Sequence, residues 1–85
     1  MTLTILYFAW VRERIGASEE TVDLPPDVET PRALAACLAG RSPGHRAALS
    51  DLSRIRVAID QEFADLDASI AGAREVAFFP PVTGG

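Results

Sequence analysis

Few side chains in this 85-residue sequence have a type and spacing suited to chemistry. There is one histidine, His45, and one cysteine, Cys37. Ser50 and Ser53 have no histidine paired with them in an identifiable motif, so no nucleophile–base arrangement is legible. His45, beside Gly44, reads as a solvated loop residue. Asp65 and Asp67 have the spacing of a carboxylate pair, but a solvated turn accounts for them better. All eight basic residues are arginine, so the chain supplies neither a lysine base nor a Schiff-base amine. Its side chains also offer no amine acceptor for an activated carboxyl terminus. The remaining candidate is the main-chain carboxylate of Gly85. A carboxylate is a poor electrophile, and the chemistry that suits it is conversion by a partner enzyme and ATP into an acyl-adenylate. Sulfur can then displace AMP and leave a thiocarboxylate, a soft nucleophile on a flexible arm.

The residues before that carboxylate are arranged to deliver it. Glu75-Val76-Ala77-Phe78-Phe79 reads as a strand, and it runs directly into Pro80-Pro81-Val82-Thr83-Gly84-Gly85. The proline pair holds the chain extended at little entropic cost. The two glycines lack Cβ atoms and can thread a narrow channel where backbone must approach a nucleotide. Gly-Gly alone is a weak signal: at about 7% glycine, two in a row at a terminus arise by chance roughly once in 200 chains. Its position after an apolar, proline-stiffened strand is what carries weight.

The elements that must position this tail follow from periodicity. Thr2 to Ala9 alternates Leu3, Ile5 and Tyr7 with Thr4, Leu6 and Phe8, a strand apolar on both faces. Ala9 to Ile15 has helical spacing and ends at Gly16, and Glu20 to Leu24 reads as a second strand closed by Pro25-Pro26. Thr30-Pro31 is a helix start and Gly40 a stop, which predicts the main helix from about Pro31 to Ala39. Leu34, Cys37 and Leu38 would form its apolar stripe, placing Cys37 in the core. Between Arg41 and Ser53 the signals conflict: Ser42-Pro43-Gly44 reads as a turn, and Arg46 to Asp51 fits a single helical turn. Arg54 to Ile59 has one apolar face, Asp60-Gln61-Glu62 turns the chain, and Phe63 starts a short edge strand. The fold class is therefore α+β: one main helix against a mixed sheet of about five strands, terminal strands adjacent at its centre, the β-grasp (ubiquitin-like) arrangement.

Length permits one domain, expected over residues 1–81, with a flexible tail at 82–85. Hydrophobic residues at 48% and charged residues at 24% place the chain among ordinary globular proteins. A net charge of −4 and the lack of a basic cluster argue against nucleic acid and anionic membrane as partners. The apolar run Leu3 to Val11 is too short to span a bilayer, and it has neither the basic residue before it nor the cleavage-type sequence after it of a signal peptide. The single cysteine cannot form an internal disulfide, in keeping with a cytoplasmic setting.

Two segments carry a family resemblance. Phe8-Ala9-Trp10-Val11-Arg12-Glu13 with Gly16, and the closing Glu75 to Gly85, resemble the small subunit of molybdopterin synthase, the MoaD family of ubiquitin-like sulfur carriers. The order of elements agrees along nearly the whole chain, while the specific motifs lie at its two ends. The resemblance implies a non-catalytic carrier with no bound cofactor. An E1-like adenylating enzyme would use ATP to activate Gly85, and a sulfur donor protein would complete the thiocarboxylate. Val82, Thr83 and Gly84 would form the inserted tail. The large synthase subunit, which holds the catalytic residues, would accept it and move sulfur onto cyclic pyranopterin monophosphate in molybdenum cofactor biosynthesis, within a heterotetramer. The resemblance also gives meaning to Phe8 and Phe79, which alternation puts on the face opposite Tyr7 and Phe78. They are expected to dock a partner, with Leu6 behind them, Arg12 as a polar neighbour, and Pro80 and Pro81 following. Asp60 departs from the asparagine frequent in that family's turn. The alternatives are a Gly-Gly carrier for thiamine thiazole synthesis or tRNA thiolation, a protein modifier joined to lysines, and an interaction-only domain.

Overall fold

In the computed structural model, which describes residues 2–81, the first and last strands lie side by side at the middle of one sheet. The elements run β1 (Thr2–Tyr7), α1 (Ala9–Ile15), β2 (Glu19–Asp23), α2 (Pro31–Ala39), α3 (Pro43–Leu49), a 3-10 turn (Leu52–Arg54), β3 (Arg56–Ile59), β4 (Glu62–Ala64) and β5 (Glu75–Phe79). The five strands are ordered β2-β1-β5-β3-β4. β1 and β5 are parallel, with Tyr7 opposite Phe78, and the other neighbours are antiparallel. This is the β-grasp arrangement expected from the sequence.

Alternation sorts the central strands into two faces. Leu3, Ile5 and Tyr7 of β1, Val57 of β3, and Val76 and Phe78 of β5 are buried in one cluster with Leu34 and Leu38 of α2 and Val11 of α1. That is the helix-covered side. Thr30 caps α2 by accepting from the Ala33 N–H at 3.1 Å, and Pro31 occupies the first turn, where no N–H is required. The buried stripe of α2 is Pro31, Leu34, Ala35 and Leu38. Cys37 falls off that stripe and is exposed, which corrects the expectation of a core thiol.

The segment of conflicting signals holds a second capped helix. Ser42 accepts from the His45 N–H at 3.1 Å and Pro43 opens α3, repeating the start of α2. A helix built this way carries His45 inward, so the residue is 6% exposed rather than solvated. Its Nε2 lies 2.7 Å from Glu20 Oε2 on β2, and its Nδ1 lies 2.7 Å from Ser42 Oγ. The Tyr7 hydroxyl donates to the same Glu20 oxygen at 2.7 Å. Partial burial alone would raise the Glu20 carboxyl, but hydrogen bonds from His45 and Tyr7 outweigh it, and the result lies below the usual glutamate value. Burial, and then the neighbouring Glu20, push the Tyr7 phenol upward, so it stays a donor. Ser42, His45, Glu20 and Tyr7 thus clasp α3 to β2 and β1.

Two loop positions have strict backbone requirements. A Cβ on Gly44 would run into the Arg14 carbonyl oxygen, so only glycine lets α3 approach the end of α1 this closely. Asp60 and Gln61 both have positive φ, 49° and 72°, in the two-residue hairpin between β3 and β4. Asp60 Oδ1 also accepts the Arg74 and Glu75 N–H groups at 2.9 and 3.0 Å, so aspartate itself ties the hairpin to the start of β5.

Gly44→Ala is expected to destabilise the fold by about 1–3 kcal/mol through overpacking, a fall in Tm of roughly 10 °C by thermal unfolding. The clasp makes an acid-limb prediction. Because the folded Glu20 value lies below the unfolded one, its stabilisation is complete above the ordinary glutamate range of about pH 4.3 and is lost as pH falls through the lower, folded value. Glu20→Gln should lower stability at neutral pH and narrow its gap to wild type in acid, as measured by chemical denaturation at each pH.

Candidate functional site

The face of the sheet turned away from the helices carries the residues expected to dock a partner. Leu6 of β1 and Phe79 of β5 are half-buried there, and Phe8, directly after β1, is 46% exposed. With Ala58, Ala77 and Phe63 they line one shallow apolar groove. Phe63, on edge strand β4, is 83% exposed, and its ring centroid is 5.7 Å from that of Phe79 in a tilted contact. Sequence reasoning placed Phe63 on an edge strand and missed its part in this face. The missing signal was register: Phe63 pairs with Ala58, and Ala58 with Ala77, so the three share one side of the sheet.

The parallel pair aligns the two docking aromatics. Phe8 donates its N–H to the Phe78 carbonyl at 3.2 Å, which continues the ladder past Tyr7. The Phe8 carbonyl accepts from Val11 at 3.2 Å and from Arg12 at 3.4 Å, so the same residue begins α1. Ala9 then has φ 54°, a conformation unusual for a side-chain-bearing residue, and it turns the chain sharply from strand to helix. Phe8 is held from both sides. Arg12 lies one turn further on and is exposed.

Beyond Phe79, Pro80 is half-buried and Pro81 exposed. Val82, Thr83, Gly84 and Gly85, the expected tail and reactive terminus, lie outside the described residues. The strand leading to them is the central one, flanked on both sides, and it exits at the end of the sheet where Phe8 and α1 lie. The exit of β5 and the Phe8–Phe63–Phe79 face thus belong to the same sheet, with Phe79 common to both.

The body of the domain offers little competing chemistry. Among the described residues no group of three or more histidine, cysteine or acidic side chains is placed to hold a metal ion. Asp67 forms a bidentate pair with Arg32 at 2.8 and 3.1 Å, so the suspected carboxylate pair is divided, with Asp67 held by arginine. That contact lowers the Asp67 carboxyl. Among the described residues no helix is long and apolar enough to cross a membrane.

Comparison with known proteins agrees with this geometry. The model of the ThiS family matches residues 5–85. The molybdopterin synthase sulfur carrier subunit of Haemophilus influenzae is 37% identical over 83 residues, covering 98% of this chain and 99% of that protein. The protein of the same description from Escherichia coli is 36% identical over 83 residues, with the same coverage. Among solved structures, SAMP1 from Haloferax volcanii, a small archaeal modifier protein, superposes with a TM-score of 0.76 at 28% identity, covering all of both chains.

The two faces predict opposite responses to truncation. Phe63→Ala should leave thermal stability within about 0.5 kcal/mol of wild type, because its ring is mostly in water. Phe78→Ala should cost about 3–5 kcal/mol, because that ring is fully buried.

Proposed function

The chain belongs to the ThiS family, and from that premise we propose that it is the sulfur carrier subunit of a molybdopterin synthase, acting in molybdenum cofactor biosynthesis. The observation that carries this reading is length-wide agreement: relatives of that description match 98% of the chain, and the family model matches residues 5–85.

In this reading Gly85 is the working residue and the folded body is a handle. An adenylating, E1-like partner joins the Gly85 carboxylate to the α-phosphate of ATP and releases pyrophosphate. A persulfide on a donor protein then attacks the acyl carbon and AMP leaves; a thiol cleaves the resulting acyl disulfide, departing as a mixed disulfide with the donor and leaving the terminus as a thiocarboxylate. The large synthase subunit receives Val82 to Gly85, and the carried sulfur passes to cyclic pyranopterin monophosphate. The carrier binds no cofactor of its own and works in the cytoplasm. Its lysine-free sequence is consistent with this division of labour, since catalytic amines must then come from the partner.

Docking falls to Phe8, Phe63 and Phe79, with Leu6 behind them and Pro80-Pro81 leading outward. Exposed aromatic rings around a shallow groove suit an interface that must be remade with successive partners. Arg12, exposed beside Phe8, supplies a polar contact at the rim.

A second reading has one observation in its favour, the full-length superposition on a small archaeal modifier protein. It would end in an amide to a lysine of another protein rather than in a thiocarboxylate. The lysine-free chain cannot accept such a bond on its own side chains.

Incubation with the adenylating enzyme, ATP and a sulfur donor should replace one oxygen by sulfur at Gly85, read by intact-mass spectrometry. An unchanged mass with a competent enzyme would sink the carrier class, and lysine adducts on other proteins would favour the modifier. With the large subunit and the pyranopterin precursor added, molybdopterin should form. Deleting Gly85 should abolish transfer while leaving docking intact, whereas Phe79→Ala should weaken docking about 10- to 100-fold without preventing thiocarboxylate formation at saturating enzyme.

A further inference from the structure

The cationic side chains of this acidic protein include a pair collected around its single tryptophan. Trp10 of α1 is partly buried against the core. The Arg14 guanidinium carbon lies 4.6 Å from the Trp10 ring centroid, and that of Arg54, in the 3-10 turn, lies 5.2 Å from it. Both distances are within cation–π range. Arg14 is further fixed by a hydrogen bond from its Nη1 to the Ala47 carbonyl of α3 at 3.3 Å.

Two like charges held on one ring repel each other, and the nearby acidic groups do not neutralise them. Among the described residues neither guanidinium is within 4 Å of a carboxylate. Asp51 senses Arg54 electrostatically, but its oxygen is occupied by the Ser53 hydroxyl and N–H. Each arginine keeps donors free of protein partners while its plane is restrained by the indole, an arrangement suited to planar oxyanions.

The location is informative as well. β3 runs antiparallel to β5, with Arg56 opposite Phe79, so Arg54, two residues earlier in the chain, lies at the end of the sheet where β5 leaves. α1 begins at that same end, because Phe8 bonds to the Phe78 carbonyl. The Trp10–Arg14–Arg54 cluster therefore stands at the end of the sheet where β5 leaves.

We propose that Trp10, Arg14 and Arg54 form a carboxylate-binding site for an acidic segment on the protein that receives the tail. The site adds a charged anchor to the aromatic one. A carrier of net charge −4 needs a local positive end to approach an acidic partner surface tail-first, and these two guanidiniums supply it. The anchor would orient the exit of β5 toward the partner's channel before the aromatic face closes, so it should act mainly on association.

This inference rests on the carrier reading, and its test separates the two. The full-length chain and the double variant Arg14→Gln/Arg54→Gln are titrated against the large synthase subunit, and separately against the adenylating enzyme, from low to high salt. Wild type should bind the large synthase subunit about tenfold more tightly than the variant at low salt, with the difference shrinking to less than about twofold near 1 M salt; the adenylating enzyme serves as the comparison. Arg54→Lys, which keeps the charge and loses the planar fork, should fall between them. A charge-reversing Arg54→Glu should weaken binding further than the double variant while its circular dichroism and Tm stay native-like. Equal affinity and equal salt dependence for wild type and double variant, with both folded, would overturn the proposal and leave the arginines as a cover for Trp10. A wild-type chain that binds neither partner would overturn the carrier reading together with it.

Discussion

The pairing of β1 with β5 is the constraint from which the rest of the molecule follows. A parallel pair requires a long crossover, and here the crossover is most of the protein, since β1 opens the described chain and β5 nearly closes it. One face of each strand packs under the helices, and both edges are occupied by other strands, so their backbone groups are paired along the sheet. The result is a terminus anchored at the centre of the sheet.

The same pairing explains why aromatic side chains are left in water. Tyr7-Phe8 and Phe78-Phe79 are adjacent residues on neighbouring strands, so one member of each pair must face away from the core whenever the other faces it. Burying Tyr7 and Phe78 forces Phe8 and Phe79 to the open side. Phe63 joins them by register, although nothing in the core requires an aromatic residue on a three-residue edge strand. An edge strand carrying an exposed phenylalanine is an aggregation liability unless a partner covers it. The exposed band includes Phe79, the last residue of β5, so the open aromatic face and the end of the central strand share one geometry.

Much of this was legible in the sequence because local signals and tertiary packing agree. Thr30-Pro31 and Gly40 bound α2 as expected, and the alternation in Glu75–Phe79 named both faces of β5. The readings that failed did so where a tertiary contact overrode a local cue. Cys37 has the right spacing from Leu34 for a core stripe, but α2 turns Ala35 inward and leaves Cys37 exposed. His45 was read as solvated because Gly44 looked like a turn residue. That glycine is instead the point where α3 touches the Arg14 carbonyl, and its lack of a Cβ lets the helix carry His45 inward to Glu20. The Ser42-Pro43 start was available as a signal, since it repeats Thr30-Pro31. The distance from Glu20 to His45 in the chain was not something spacing alone could bridge.

The clasp and the end of β5 sit at different places in the fold. Tyr7 is the residue that connects them: its ring lies in the core, its hydroxyl binds Glu20, and its backbone precedes Phe8. A phenol kept protonated by burial and by an adjacent carboxylate is a fixed donor, so the Tyr7–Glu20 bond that sets β1 against β2 does not titrate at neutral pH. Tyr7, Glu20, Ser42 and His45 thus fix the helix-covered side of the sheet, and Phe8, bonded to the Phe78 carbonyl, is held on that same platform.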